Sequence, residues 1–234
     1  IEQCSSEITA AYKSKLTKGN ALIDLTAGFG VDSFFFAQHI NEVYSCEIAT
    51  ELAAINAHNA KVLGAENITV IPADGINFLK STEKFFDTVY IDPARRNQSA
   101  KVFRLKDCTP DITAHLPFLL TKAKRIIIKT APLLDITAGL SELNNVSEIH
   151  IVSVKNECKE LLWVIDENYT APITIYCATL NDTTKTFSFA IGDLKQQIEM
   201  GEIKSEGYLY EPDVALLKSG AFNLIALRFN LQKI

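Results

Sequence analysis

Asp24-Leu-Thr-Ala-Gly-Phe-Gly30 is the stretch that decides the fold. It closes a short apolar run, Ala21–Leu25, and opens a helical pattern over Val31–His39. Gly28 and Gly30 let the backbone turn tightly and come close to a ligand. The helix start beyond Gly30 offers free N–H groups and a positive dipole end.

The same strand-then-helix unit recurs outward from this loop. Glu42–Cys46, Ile68–Ile71, Thr88–Ile91 and Arg125–Lys129 read as further strands. Thr50–Leu63 (stopped by Gly64), Gly75–Lys80, Pro110–Leu120 and Leu134–Leu143 read as helices. The strands are continuous apolar runs rather than alternating ones, as a sheet covered on both faces requires. The rhythm predicts an α/β, Rossmann-like, doubly wound and mostly parallel sheet. It breaks at Glu148–Val154 and Glu160–Ile165, joined by the polar turn Lys155–Lys159. That turn is too short for a parallel crossover, so the pair must be antiparallel. The expectation is seven strands ending in this hairpin, with Ile173–Ala178 and Thr186–Ile191 as candidates for more. Residues 1–190 are expected to form the main domain and 191–234 a small C-terminal appendage.

The 234 residues are 47% hydrophobic, enough for a full core. A net charge of −5 argues against a protein-wide basic surface for nucleic acid, though not against a local one. Cys4, Cys46, Cys108, Cys158 and Cys177 form no C-x-x-C pair, so neither a zinc site nor another metal is expected. Reduced thiols, the lack of a signal peptide and the lack of a long apolar run fit a cytoplasmic protein with no membrane partner. The start at Ile1-Glu2-Gln3 without Met, and the abrupt end at Ile234, suggest a piece of a longer chain.

Three acidic residues fall at strand ends. A carboxylate at Asp24 would repel a dinucleotide pyrophosphate but suits the cationic amino and sulfonium groups of S-adenosylmethionine (SAM). Thr26 lies in the same loop. Glu47 can accept both ribose hydroxyls, and Asp74 can accept from the adenine amine while capping a helix. Ligands of open α/β sheets bind at these carboxyl ends. The glycine spacing alone would also suit NAD, with Ser33 at the third small position.

From about Gly19 to Ala178 the chain resembles class I SAM-dependent methyltransferases, especially RNA-modifying ones. Asp24–Ser33 and Ile91-Asp-Pro-Ala-Arg-Arg96 look like a bacterial group with a THUMP-like C-terminal domain. Tyr208–Asp213 and Lys218–Phe222 look like the start of that domain. The resemblance implies SAM as cofactor, held by Asp24, Gly28, Gly30, Glu47 and Asp74, and RNA as substrate. A parallel sheet ending in a hairpin is also that group's pattern.

Asp92-Pro93 follows the fourth strand, where amino-methylating enzymes carry Asp/Asn-Pro-Pro-aromatic. Asp92 and Pro93 match; Ala94 and Arg95 depart. Stacking on a base would have to come from Arg95 or from elsewhere, such as Phe103. Methyl transfer is a direct displacement that needs alignment, a nucleophile and no metal. Methylation at a base carbon would need a cysteine nucleophile, for which Cys108 and Cys158 are the loop candidates.

Ala94–Thr130 carries nine basic residues against Asp107 and Asp111, a net +7 that leaves −12 for the rest. Lys122, Lys124 and Arg125 precede their strand and belong to its far end. Arg95, Arg96 and Lys129 are expected at the mouth of the site, facing an anionic substrate such as RNA. A methyltransferase for a small molecule or protein, and a SAM-fold module without catalysis, remain open.

Overall fold

The computed structural model describes residues 4–95, 104–202 and 206–234. Among them, nine strands form one sheet. They are β1 (Ala21–Asp24), β2 (Glu42–Cys46), β3 (Ile68–Ile71), β4 (Phe86–Ile91), β5 (Ala123–Thr130), β6 (Val146–Val154), β7 (Glu157–Asp166), β8 (Thr174–Leu180) and β9 (Thr184–Ala190). Across the sheet they run β9-β8-β6-β7-β5-β4-β1-β2-β3. β1 to β5 are mutually parallel. β7 is antiparallel to both β5 and β6, β8 is parallel to β6, and β9 is antiparallel to β8. A separate ribbon pairs Ala94–Arg95 with Cys108–Thr109.

The expected seven strands are therefore nine. The hairpin forms as expected but does not end the sheet. Because β7 runs against its neighbours, it ends on the edge where β8 begins, so a short loop reaches the far side of β6. No crossover helix is needed, and the two further candidate runs, Ile173–Ala178 and Thr186–Ile191, form as β8 and β9. The hairpin turn is also tighter than the sequence suggests. Lys155 and Asn156 both take left-handed φ values, 50° and 59°, in a two-residue turn. β7 consequently starts at Glu157, and Cys158 lies within the strand.

Helices cover both faces. Ile126 and Ile128 of β5 face one core cluster and Ile127 the other, all fully buried. That is why the Ile126-Ile127-Ile128 run has no polar alternation. One face carries α2 (Val31–Phe36) and α3 (Thr50–Val62). It also carries α1 (Glu7–Ser14), for which the sequence reading has no counterpart. α1 and the residue just beyond it lay Ile8, Tyr12 and Leu16 over Val152, Leu162, Ala178 and Leu180. The opposite face carries α4 (Gly75–Ser81), α5 (Ile112–Leu120) and α6 (Ile136–Glu142).

The tail also packs on this second face, through α7 (Val214–Ser219) and α8 (Phe222–Phe229). Asp213 caps α7 and accepts from Ser153 Oγ at 2.6 Å. Ala215, Ala221, Leu224 and Ile225 join the main core. Part of the segment read as an appendage, α7 and α8, thus shares the core of the sheet. Among the described residues, no helix is long and apolar enough to cross a membrane.

α6 is seated by Gly139, where a Cβ would lie 2.3 Å from the ring of the fully buried Trp163. Gly139→Ala gains at most about 1 kcal/mol of helix propensity, against about 1–3 kcal/mol for overpacking a closed core. A net loss in urea denaturation is expected. Unchanged or higher stability would show that α6 is free to slide off the ring.

Candidate active site

The strand order β4-β1-β2 brings three carboxylates to one edge: Asp92 after β4, Asp24 at the end of β1, and Glu47 after β2. A cleft of about 670 Å³ opens there, lined in part by Ser5, Asp24, Thr26, Gly28, Asp32 and Asp92. The glycine loop is pinned to its neighbours. Leu25 N–H donates to the Tyr90 carbonyl and Ala27 N–H to that of Cys46. Gly28 and Gly30 both have left-handed φ, 54° and 80°. A Cβ on Gly30 would lie 2.1 Å from Asn56, which is buried and donates to Ser45 Oγ.

Asp24 is buried at the floor of the cleft. Its Oδ1 accepts from Thr26 N–H at 3.0 Å and its Oδ2 from Ser33 Oγ at 2.8 Å. These bonds favour the anion, but burial outweighs them and pushes its pKa up to about 7. Thr26 also ties the loop to the next strand, because Asp92 N–H donates to Thr26 Oγ1 at 2.7 Å.

Asp92 forms an ion pair with Lys129 at the end of β5. Burial raises the Asp92 carboxyl above its usual range, with Lys129 opposing the rise. Burial alone would lower the Lys129 ammonium. The Asp92, Glu160 and Asp32 carboxylates outweigh it and hold Lys129 above its ordinary value. Lys129 thus stands against the Asp92 carboxylate rather than free at the mouth.

Behind this pair lies a network that the sequence reading misses. Lys13 of α1, fully buried, donates to both oxygens of Glu160 at 2.6 and 2.8 Å and to Ser5 Oγ at 2.8 Å. It also lies 3.2 Å from Asp32 Oδ1. Asp32 Oδ2 accepts from Ser5 Oγ at 2.9 Å and Tyr90 OH at 2.8 Å. Among the described residues, Asp32 Oδ1 has no hydrogen-bond donor beyond that ionic contact. The only sequence hint of Asp32 is an acid in the first helical turn after the loop. Nothing marks Lys13, since a lysine in an amphipathic segment ordinarily points to water.

The other expected site residues take mixed positions. Glu47 accepts from Gly28 N–H and Ala49 N–H, both at 2.8 Å, so it props the loop. Each oxygen keeps a lone pair for a further donor. Asp74 caps α4, accepting from Asn77 N–H at 2.8 Å. Pro93 follows Asp92 directly into the Ala94–Arg95 ribbon. Arg96 and Phe103 lie outside the described residues. Arg125 is turned to the opposite end of the sheet, bidentate on Asp166 at 2.7 Å. Cys108 is buried in the ribbon rather than in an open loop. Burial pushes the Cys158 thiol up to about 11. The Cys158 environment therefore does not favour a thiolate.

Residues 208–234 match the model of a ferredoxin-like domain. A protein of Porphyromonas gingivalis W83, provisionally named a methyltransferase, has a crystal structure that superposes with a TM-score of 0.89. It is 32% identical, over 100% of this chain and 59% of that one. Ribosomal RNA small subunit methyltransferase J of Francisella tularensis subsp. novicida is 34% identical over 113 residues, 43% of this chain and 45% of that protein. The structure of M. capricolum TrmK with S-adenosyl-homocysteine matches with a TM-score of 0.50 at 16% identity, over 71% of this chain and 70% of that one. The chain therefore spans less than two thirds of the first two relatives, and it has the fold of class I SAM-dependent methyltransferases.

Two substitutions test the electrostatics. The folded pKa of Asp24 lies above its unfolded value, so its burial costs stability as pH rises above about 4, fully so above about 7. Asp24→Asn keeps an acceptor for Thr26 N–H, and its amide can donate to Ser33. It is expected to stabilise the protein by on the order of 2–4 kcal/mol at pH 8, and by little at pH 4. A gain independent of pH would contradict the assignment. Lys13→Met strands Glu160 and Asp32 and is expected to cost about 3–5 kcal/mol at pH 8. Thermal melts read the loss, and unchanged stability would contradict the pairing.

Proposed function

We propose that the protein is a SAM-dependent methyltransferase acting on RNA. The observation that carries this reading is the buried Asp24 carboxylate on the cleft floor. It is held by two hydrogen bonds, with no cation paired to it among the described residues. Such a group favours a cationic ligand and disfavours the pyrophosphate of a dinucleotide. SAM, when bound, supplies an electrophilic methyl group on sulfonium sulfur.

In this reading Asp24 faces the cationic end of the cofactor, and Gly28 and Gly30 allow close approach of the loop. Thr26 fixes the distance between Asp24 and Asp92. Glu47 has lone pairs for the ribose hydroxyls, and Asp74 for the adenine amine. Asp92, with Pro93 stiffening the turn, orients the acceptor and takes its proton. Arg95, Arg96 and Lys129 are the candidates for substrate contact, Lys129 through its pair with Asp92.

The relation to a ribosomal RNA methyltransferase and the basic run after Asp92 support RNA as acceptor. The THUMP-like character read in the tail, and a cytoplasmic setting, belong to the same proposal. The ferredoxin-like match of 208–234 is consistent with a role of that segment in substrate recognition.

The test is transfer of labelled methyl from SAM to total RNA and, in parallel, to total protein. Label is expected in RNA, with binding that weakens steeply as salt rises. Label in protein alone, or no affinity for SAM, would overturn the reading. Asp92→Ala is expected to abolish transfer while SAM affinity stays nearly intact. Glu47→Ala should weaken SAM binding by about 1–3 kcal/mol, and unchanged affinity would remove Glu47 from the cofactor site. SAM affinity should also rise with pH through about 7, as Asp24 ionises.

A further inference from the structure

We propose that the Asp92–Lys129 pair selects a lactam edge of a nucleobase, a ring N–H beside a carbonyl as in guanine or uracil, and directs methylation to that ring nitrogen. The inference rests on the methyltransferase reading and narrows its substrate.

The argument starts from the register. Ile91 pairs with Ile128, so the next residues, Asp92 and Lys129, leave adjacent parallel strands side by side. Asp92 lines the cleft, and Lys129 is ion-paired to it from the neighbouring strand. Lys129 is largely buried, with 13% of its side chain exposed, while 35% of Asp92 is open. Lys129 has three N–H donors. Asp92 takes one, and among the described residues no other hydrogen bond from Nζ is formed. The site thus presents an acceptor and a cationic donor next to each other. A lactam edge is the complement of that pair: its N–H donates to Asp92 and its carbonyl oxygen accepts from Lys129.

An exocyclic amine beside a ring nitrogen offers a similar donor–acceptor pattern, so pattern alone does not decide. Chemistry does. A cation bonded to the ring nitrogen of adenine or cytosine draws electron density away from the amine and weakens it as a nucleophile. The same cation on a lactam carbonyl stabilises the anion formed when the N–H proton is lost, as a preorganised donor stabilises developing charge on oxygen. Lys129 therefore opposes attack by an amine and assists attack by an acidic ring nitrogen. The absence of the Asp/Asn-Pro-Pro-aromatic pattern, with Ala94 and Arg95 in its last two places, agrees with a different acceptor.

The step balances. The ring N–H proton passes to the Asp92 carboxylate. The nitrogen electron pair forms the new N–CH3 bond as the carbon–sulfur bond of the methyl sulfonium donor breaks. That bonding pair stays on sulfur as a neutral thioether, and Asp92 then releases the proton to water.

RNA methylated by the wild-type protein should be digested to nucleosides and the modified one identified by mass spectrometry. A ring-nitrogen methyl beside a carbonyl is expected. A methyl on an exocyclic amine, a ribose oxygen or a ring carbon overturns the proposal. Lys129→Gln should lower kcat roughly 100-fold near neutral pH and leave KM for SAM unchanged. Its activity should recover at high pH, where the N–H ionises unaided, and Lys129→Arg should retain much of the rate. A loss equal at every pH, or no loss, overturns it. NMR titration without SAM gives a readout independent of turnover. GMP and UMP should bind more tightly than AMP and CMP, and Lys129→Gln should erase the difference. No preference in the wild type would count against the inference. Transfer to protein alone would overturn the parent reading and this one with it, whereas a methylated amine in RNA would overturn only this one.

Discussion

Four carboxylates, Asp24, Asp32, Asp92 and Glu160, share one poorly hydrated end of the sheet with two ammonium groups, Lys13 and Lys129. Burying an unpaired charge costs several kcal/mol, so their arrangement constrains everything near them. Lys13 compensates Glu160 and Asp32, and this requires α1 to lie across β6, β7 and β8. Lys129 compensates Asp92 and fixes the junction of β4 and β5. Among the described residues Asp24 has hydrogen-bond donors but no paired cation, and burial, with Asp32 and Asp92 nearby, raises its pKa. The hydrophobic cores explain why the sheet is covered on both faces. The charge balance explains why its carboxyl edge has this particular shape.

The parts of this arrangement that were legible in the sequence are those with local causes. Val31 can start a helix and Gly30 can turn left-handed without reference to anything distant, so the loop at Asp24–Gly30 declares itself. Ile126-Ile127-Ile128 needs two apolar environments, and such a run implies a two-faced sheet. The acids at 24, 47, 74 and 92 were visible because each follows a strand. What escaped depended on partners far along the chain. Lys13 is meaningful only beside Glu160, 147 residues away. Lys129 carries the same charge whether it faces RNA or Asp92, so its charge could not reveal its partner. β8 and β9 stand in the sequence only as the candidates Ile173–Ala178 and Thr186–Ile191, because the reversal of β7 removes the helical crossover that marks the other strands. The tail read as an appendage because its buried face, Ala215, Ala221, Leu224 and Ile225, is short and interrupted.

The N-terminal segment therefore belongs to the site as much as the glycine loop does. Ser5 lines the cleft and is bonded to both Lys13 and Asp32, while Tyr90 bonds Asp32 from the sheet side. Displacing α1 would remove the compensating cation from Glu160 and Asp32 at the same moment as it opened the cleft wall. Cleft shape and cleft charge are thus coupled through a single side chain.

That coupling gives a physical reason for leaving Asp24 uncompensated. A cation supplied by the protein at Asp24 would remove the destabilisation, but it would also fill the place where a cationic ligand gains most. That deficit makes binding of a cationic ligand a stabilising event for the fold, because a ligand that prefers the native state adds RT ln(1 + [L]/Kd) to its stability. The hydrogen bonds from Thr26 and Ser33 are strong enough to hold the Asp24 carboxylate in place and too weak to satisfy its charge. Lys129 occupies the opposite position in this economy of charge: it satisfies Asp92 before any substrate arrives, so an incoming group must match the pair rather than a bare carboxylate. In the proposed reading, charge is left unmet beside the cofactor and met beforehand beside the acceptor, an asymmetry by which one acidic edge would distinguish its two ligands.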